Sequence, residues 1–110
     1  MCHETNYLKF TGDVNVAQHN FAGLGATGGV PGNSFASIET GIMAHVQHLY
    51  CYASVDSLPA GMTNVDPRWA EWIRGLSATV EGLNGTWAAG DSGYDQKIIT
   101  KLNGILNTSY

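Results

Sequence analysis

The sequence has few charges, few cysteines and no long apolar run, and each shortage excludes a class of protein. Only 13% of its 110 residues are charged, and nine acidic against five basic side chains give a formal net charge of −4. Because nucleic acid and anionic membranes attract basic surfaces, we expect neither partner. No apolar stretch approaches the roughly 20 residues of a membrane span, and we do not expect the first residues, MCHET, to open a signal peptide.

The two cysteines and four histidines do not make a recognisable metal site. Cys2 and Cys51 lack C-x-x-C spacing, so we expect two buried free thiols, with a disulfide between them as the alternative. His45 and His48 lie three apart and share a helix face. A zinc site needs at least a third protein ligand, which no motif supplies. We therefore expect no metal and no cofactor.

The hydrophobic share of 44% indicates a globular chain, and its length predicts one domain, residues 1–110, in a monomer. Residues 1–10 lack Gly and Pro and are compatible with a helix. A second helix opens around residues 34–37, and shorter ones are predicted at 66–75 and 77–84. The last is predicted at 92–106. The apolar faces that predict the two longest helices are Ile38, Ile42, Val46, Leu49 and Ala53, and Tyr94, Ile98, Leu102, Ile105 and Leu106. We expect a mainly α fold with little or no strand.

Residues 11–34 are rich in glycine and form a long irregular segment, which in a compact domain is usually functional. Within it, GLGATG at residues 23–28 fits the G-x-G-x-x-G pattern of a dinucleotide-binding loop. That function needs a buried strand before the loop and a helix opening from it. The upstream residues turn polar, and Gly29, Pro31 and Gly32 prevent an immediate helix. We expect a cleft loop that does not bind nucleotide.

Glu4-Thr5 followed by Asn20-Phe21-Ala22-Gly23-Leu24 resembles the signature of lysozyme-like enzymes that cut peptidoglycan. Further matches are GIMAHVQHLYCYAS at residues 41–54, VDPR at 65–68, Arg74-Gly75, Trp87-Ala88 and Gly93-Tyr94. Together these motifs are similar to the bacterial and phage glucosaminidase domains of glycoside hydrolase family 73. The resemblance covers about residues 1–106. The family has more helix before its catalytic Glu, so we expect an N-terminal helix to be missing here.

The resemblance implies a lysozyme-like domain that hydrolyses β-1,4 bonds next to N-acetylglucosamine in peptidoglycan. It places Glu4 at the catalytic acid and Tyr94 at the aromatic residue beside it. The implied substrate-binding residues are Thr5, Asn20, Phe21, Gly23, Leu24, Gln47, His48 and Trp87. Gln47 and His48 also suit a plain core role. Trp69 and Trp72 suit either the core or sugar stacking, and Arg68 and Arg74 suit either turn anchoring or contact with substrate carboxylates.

Glycosidases normally pair two carboxylates, but residues 23–34, where several relatives of that family carry the second one, contain no Asp or Glu. Asp13 and Glu39 flank this segment, and a route that uses the substrate's own acetamido group is the alternative. A lytic transglycosylase and a non-catalytic wall-binding module are alternative functions. Since peptidoglycan lies outside the cytoplasmic membrane, we expect a secreted or envelope location, reached within a longer exported protein or by phage-type release.

Overall fold

The computed structural model describes residues 1–26, 29–88 and 91–108, and regular structure within these ranges is helical. They contain three α-helices, α1 (Cys2–Thr5), α2 (Ile38–Ala53) and α3 (Tyr94–Leu106), and three short 3-10 helices at Val16–Gln18, Glu71–Ile73 and Val80–Leu83. Val30 forms an isolated β-bridge, so the described part of the chain has almost no strand. The prediction of a mainly α fold is confirmed. The radius of gyration, 14.2 Å, is close to the roughly 13 Å expected of a compact chain of this length.

Helix α1 is shorter than the sequence predicts, because the chain turns away after Thr5. Asn6, Tyr7 and Leu8 have positive φ angles of 48°, 55° and 65°. The Thr5 side chain supports this turn, since its Oγ1 accepts the Leu8 N–H at 2.9 Å. Asn tolerates the left-handed conformation better than most residues. The prediction of a helix through residue 10 was wrong, since a lack of Gly and Pro permits a helix without requiring one.

Helix α2 begins at Ile38 because Ser37 caps it. The Ser37 Oγ accepts the Thr40 N–H at 3.1 Å, which satisfies one of the free donors of the first turn. One turn further, Gly41 is buried against the loop that precedes the helix. A Cβ added to Gly41 would collide with the carbonyl oxygen of His19, so glycine lets the helix backbone lie directly on this loop.

The face of α2 that packs inward is not the one predicted. Ile38, Ile42 and Val46 are exposed, and the exposed fraction of Val46 reaches 55%. The buried residues of the helix are Gly41, Ala44, His45, Gln47, His48, Cys51 and Tyr52. Periodicity failed here because several polar side chains on the buried face have hydrogen-bond partners, which removes the usual cost of burying them.

The predicted helices at 66–75 and 77–84 are also corrected: each range contains only one short 3-10 helix. The backbone of this segment bonds to the end of α2 instead of to itself. The Gly75 N–H donates to the Cys51 carbonyl at 3.2 Å, and the Ser77 N–H donates to the Tyr52 carbonyl at 2.9 Å. Because each N–H group can be satisfied by a distant carbonyl, tertiary contact replaces helical hydrogen bonds here.

Helix α3 begins at Tyr94 and takes its N-terminal support from outside the helix. The Asp95 N–H donates to Asn84 Oδ1 at 2.9 Å, and Asn84 Nδ2 donates back to Asp95 Oδ1 at 2.8 Å. Tyr94 is buried and Ile98 is half-buried, but the remaining apolar residues of the predicted face, Leu102, Ile105 and Leu106, are exposed. Only the first half of that face packs inward, where α3 contacts α1.

Two small apolar clusters hold the described residues together. The first contains Ala22, Leu24 and Ala44, and the second contains Cys51, Tyr52 and Ile73. Trp87 packs against both, so its indole ring joins the loop, α2 and the 3-10 segment. Within the described ranges, every helix is too short or too polar to span a bilayer.

Candidate active site

A cleft of about 740 Å³ opens where α1, the glycine-rich loop, α2 and the start of α3 meet. Its lining includes the carboxyl-bearing Glu4 of α1 and the aromatic Tyr94 of α3. Gly23 and Leu24 line it from the loop, and His48 lines it from α2. Residues distant in sequence therefore converge on one cavity of the size that ligand sites usually have.

Glu4 is held at the cleft by two donors that bind the same carboxyl oxygen. The Tyr94 hydroxyl donates to Glu4 Oε1. The Trp87 indole Nε1–H donates to the same atom at 3.1 Å. Both donors lie more than eighty residues away in the sequence. The carboxyl group is therefore fixed in orientation by the tertiary fold and not by α1 alone.

The second oxygen of Glu4 lies beside the glycine-rich loop. A Cβ added to Gly23 would lie 3.7 Å from Glu4 Oε2, so the absent side chain leaves space next to that atom. Gly23 has a φ angle of 68°, which glycine adopts without strain. Among the described residues no donor binds Oε2. Since Oε1 already accepts two hydrogen bonds, Oε2 is the atom free to carry and deliver a proton.

Tyr94 is suited to act as a donor and not as a nucleophile. Its burial, together with the neighbouring Glu4 carboxylate, raises the pKa of the Tyr94 phenol well above its usual value. The hydroxyl therefore stays protonated at neutral pH. It can stabilise negative charge on Glu4 throughout a proton transfer.

Trp87 is held in position by three aromatic side chains of α2. Its ring centroid lies 5.0 Å from His48, 5.8 Å from Tyr52 and 5.9 Å from His45. These contacts fix the plane of the indole ring, and so the direction in which Nε1–H points towards Glu4. Removing the ring would leave a gap between the two apolar clusters as well as freeing the carboxyl group.

His48 lines the cleft and is held from behind by a buried carboxylate. Its Nδ1 lies 2.7 Å from Asp66 Oδ2, and the Asp66 side chain is fully buried. Asp66 Oδ1 in turn accepts the Arg68 N–H at 2.8 Å. In the tautomer in which Nδ1–H donates to Asp66, the ring's other nitrogen, Nε2, is left for other partners. The predicted helix at 66–75 does not form from this residue, and the Asp66 carboxylate instead shapes the turn and holds His48.

Asn20 and Phe21 shape the loop and do not line the cleft, so the contact with substrate that the resemblance implies for them stays a prediction. Asn20 is almost fully buried, and its side-chain amide joins two segments of the loop. Its Oδ1 accepts the Leu24 N–H, and its Nδ2 donates to the carbonyls of Leu24 and Asn33, all within 3.0 Å. Phe21 packs on Phe10, with ring centroids 6.0 Å apart. Both residues support the turn that places Gly23 and Leu24 at the cleft.

The polar groups of Thr5 and Gln47 are hydrogen-bonded within the fold, and the substrate contact that the resemblance implies for them stays a prediction. Thr5 Oγ1 donates to the Met1 carbonyl at 2.9 Å. Gln47 Nε2 donates to the Thr63 carbonyl at 2.9 Å, and Gln47 Oε1 accepts the Val65 N–H at 2.8 Å. Gln47 is 1% exposed. It anchors the loop before Asp66 to α2.

The structure separates the two flanking acids proposed as a second carboxylate. Asp13 lines a small cavity of about 160 Å³, which shares Glu4 and Gly23 with the cleft. Asp13 Oδ2 accepts the Gly29 N–H at 3.1 Å, which orients its carboxylate. Glu39 is exposed in the first turn of α2 and lines neither cavity. Thr27 and Gly28, the end of GLGATG, lie outside the described residues.

Several cleft residues were not assigned to the site by the sequence. Tyr52 and His3 line it, and the His3 ring stands edge-on to Tyr94 at 5.1 Å. Arg68 and Trp72 also line it, although the sequence left their roles open. Arg68 and Tyr52 lie within the motifs that carried the resemblance, and His3 precedes Glu4 directly. Their location in or next to these motifs was the only sign in the sequence that they belong to the cleft, since the spacing of residues does not show which side chains are buried or where they point.

The cysteines are free in the structure. Cys51 is fully buried and Cys2 is half-buried, so the expectation that both are buried holds only for Cys51. Burial raises the pKa of the Cys51 thiol, which disfavours the reactive thiolate. Across residues 1–26, 29–88 and 91–108, no group of three or more His, Cys, Asp or Glu side chains is arranged to hold a metal ion.

The chain is similar to an uncharacterized protein of Borreliella burgdorferi. The two are 46% identical over 99 residues, which cover 89% of this chain and 47% of that protein. The chain thus spans about half the length of this relative. No protein-family model matches the chain. No solved structure matches it either.

Proposed function

We propose that the chain is a peptidoglycan hydrolase with a lysozyme-like fold, an endo-β-N-acetylglucosaminidase that cleaves β-1,4 bonds of the glycan strand. The observation that carries this proposal is the pairing of Tyr94 and Trp87 on one oxygen of Glu4 at an open cleft. The sequence resemblance implies that Tyr94 lies beside Glu4, and the two residues are hydrogen-bonded in the structure. Their contact supports the assignment of both residues to one site.

Glu4 acts as the general acid. Its protonated Oε2 donates to the glycosidic oxygen, so that the bond between that oxygen and the sugar carbon breaks and the leaving sugar carries a hydroxyl group. The remaining carboxylate is negative, and the Tyr94 hydroxyl and Trp87 Nε1–H stabilise this charge on Oε1. Both donors are in place before the reaction, so little reorganisation accompanies the proton transfer.

Asp13 is the carboxylate that we assign to water activation. It shares a small cavity with Glu4, and its orientation is set by the Gly29 N–H. As general base it takes one proton from water, and the hydroxide adds to the sugar carbon. This route inverts the configuration at that carbon. Assistance by the substrate acetamido group would retain it, so the anomer formed first distinguishes the two.

The test is release of soluble fragments from purified cell walls. We expect fragments with N-acetylglucosamine at the reducing end and with the mass of one added water per cleavage. Fragments lighter by one water, ending in an internal anhydro ring, would identify a lytic transglycosylase. Walls that retain the protein but release nothing would refute catalysis and indicate a wall-binding module. The proposed location is secreted or in the cell envelope, where this substrate lies.

A further inference from the structure

Arg68 is the one permanently charged basic residue among the described residues that line the cleft. The chain as a whole is acidic, with a formal net charge of −4. The proposed cleavage of a neutral sugar linkage by Glu4 requires no cation. Arg68 therefore calls for a separate explanation at this site.

The two arginines of this region differ in how their guanidinium groups are used. Arg74 Nε donates to the Ser54 carbonyl at 3.0 Å, and its guanidinium carbon lies 4.5 Å from the centre of the Trp69 ring. Among the described residues, no acceptor binds the Arg68 guanidinium. Only the Arg68 backbone is tied down, by its N–H bond of 2.8 Å to Asp66. Arg74 serves the fold, whereas the Arg68 side chain is exposed at the cleft.

The tryptophans of the same segment divide in the same way. Trp69 is half-buried in the second apolar cluster and beneath Arg74. Trp72 lines the cleft and is 79% exposed, the highest exposure among the large hydrophobic residues of the described chain. Its indole face is therefore open to a ligand. Exposed aromatic rings with one apolar face suit the flat surface of a sugar ring.

Arg68 and Trp72 both line the cleft and thus offer it an open guanidinium group and an open aromatic face, a pair that we call the Arg68–Trp72 rim. The planar fork of Arg matches the two oxygens of a carboxylate better than a lysine ammonium does. We infer that this rim binds a carboxylate-bearing sugar unit of the glycan and makes the site select acidic over neutral strands. The inference rests on the proposed function, because it concerns the same cleft.

The test measures dissociation constants by calorimetry in a Glu4→Gln background, so that no ligand is consumed. Three ligands are compared: neutral N-acetylglucosamine oligomers, peptide-free glycan strands with their lactyl carboxylates, and strands that keep their stem peptides. Arg68→Gln should weaken binding of the carboxylate-bearing strands by about two- to fivefold, the range of exposed ion pairs, and leave the neutral oligomer unchanged. Arg68→Lys should lie in between.

Two control variants separate charge from shape. Lys9→Gln removes one positive charge from an exposed residue outside the cleft lining and should change none of the three constants. Trp72→Ala should weaken all three ligands, because stacking does not depend on the carboxylate. A loss on peptide-free strands would support the inference, because it assigns the effect to the sugar carboxylate. A loss only on peptide-bearing strands would overturn it, because it assigns the effect to the stem.

Equal losses for neutral and acidic ligands with Arg68→Gln, or no loss with any ligand, would overturn the inference. So would failure of all three ligands to bind. The proposed function is tested separately, by cleavage with the unmodified chain. If cleavage occurs without discrimination by Arg68, only the inference fails. If the ligands bind and discriminate but no cleavage occurs, the proposed reaction fails while the rim assignment stands.

Discussion

Replacing Tyr94 by Phe removes one hydroxyl group and tests how the fold prepares Glu4. Tyr94 is buried, and its hydroxyl donates to Glu4 Oε1. A hydrogen bond to a charged group contributes about 1.5–3 kcal/mol. In the proposed reaction Glu4 becomes charged as it gives up its proton, so most of that loss should appear in the transition state. We expect kcat to fall by about 10- to 150-fold.

The fall should stop there, because the Trp87 Nε1–H remains 3.1 Å from Oε1 and still satisfies that atom. The assay is the rate of reducing-end formation on purified walls, with circular dichroism to verify the fold. Tyr52→Phe is the matched control, since it removes a hydroxyl from another buried tyrosine of the cleft that does not contact Glu4. A Tyr94→Phe rate within twofold of the Tyr52→Phe rate would refute the role of the Tyr94 hydroxyl in stabilising the Glu4 carboxylate.

Three further predictions concern the packing of α2, the pH dependence of stability and the second carboxylate. Gly41→Ala should destabilise the fold by about 1–3 kcal/mol in chemical denaturation, because its Cβ collides with a backbone carbonyl. The control is Gly104→Ala, whose Cβ meets open space in α3. It should be neutral or stabilising by up to about 1 kcal/mol. Burial and nearby positive charge lower the pKa of His45 to about 4. As the pH falls below about 6.5, His45 therefore takes up a proton in the unfolded chain before it does in the folded chain. The free energy of unfolding should fall by about 3 kcal/mol from pH 6.5 to 4 for this reason. His45→Gln should make this dependence on pH less steep. Asp13→Asn should lower kcat at least about 100-fold, the low end for loss of a general base, whereas Glu39→Gln should not.

A different result would contradict each of these three predictions. Equal stability of Gly41→Ala and Gly104→Ala would mean that α2 does not lie against the loop as described. A pH slope that is the same with and without His45 would assign acid sensitivity to other groups, such as His3, whose pKa burial also lowers. Full activity of Asp13→Asn, with retained configuration in the product, would favour assistance by the substrate acetamido group.

The sequence predicted the two long helices from apolar residues at helical spacing, and Ser37 caps the first of them, α2. It did not predict which face of α2 packs inward. Ile38, Ile42 and Val46 have the right spacing, yet the buried face holds Gln47 and His48, whose partners Thr63, Val65 and Asp66 come later in the chain. Spacing records hydrophobicity, whereas burial here is decided by long-range hydrogen bonds.

The site was predictable only in part for a related reason. Glu4 and Tyr94 were identified by resemblance, and the contact between them follows from the packing of α1 against α3. Trp87 was proposed for the cleft, but its bond to Glu4 depends on how two apolar clusters hold the indole ring. Asn20 and Gln47 belong to the same motifs and yet serve the loops. Motifs contain both reacting groups and the residues that position them, and only geometry separates the two.

The most direct test of the central claim is fragment release from purified cell walls by the unmodified chain and by Glu4→Gln. Glu81→Gln is the control, because Glu81 is exposed in a 3-10 helix and does not line the cleft. We expect release by the unmodified chain and by Glu81→Gln. Glu4→Gln should release nothing above background, although it should still bind the walls. Equal release by all three proteins would contradict the assignment of Glu4 as the acid.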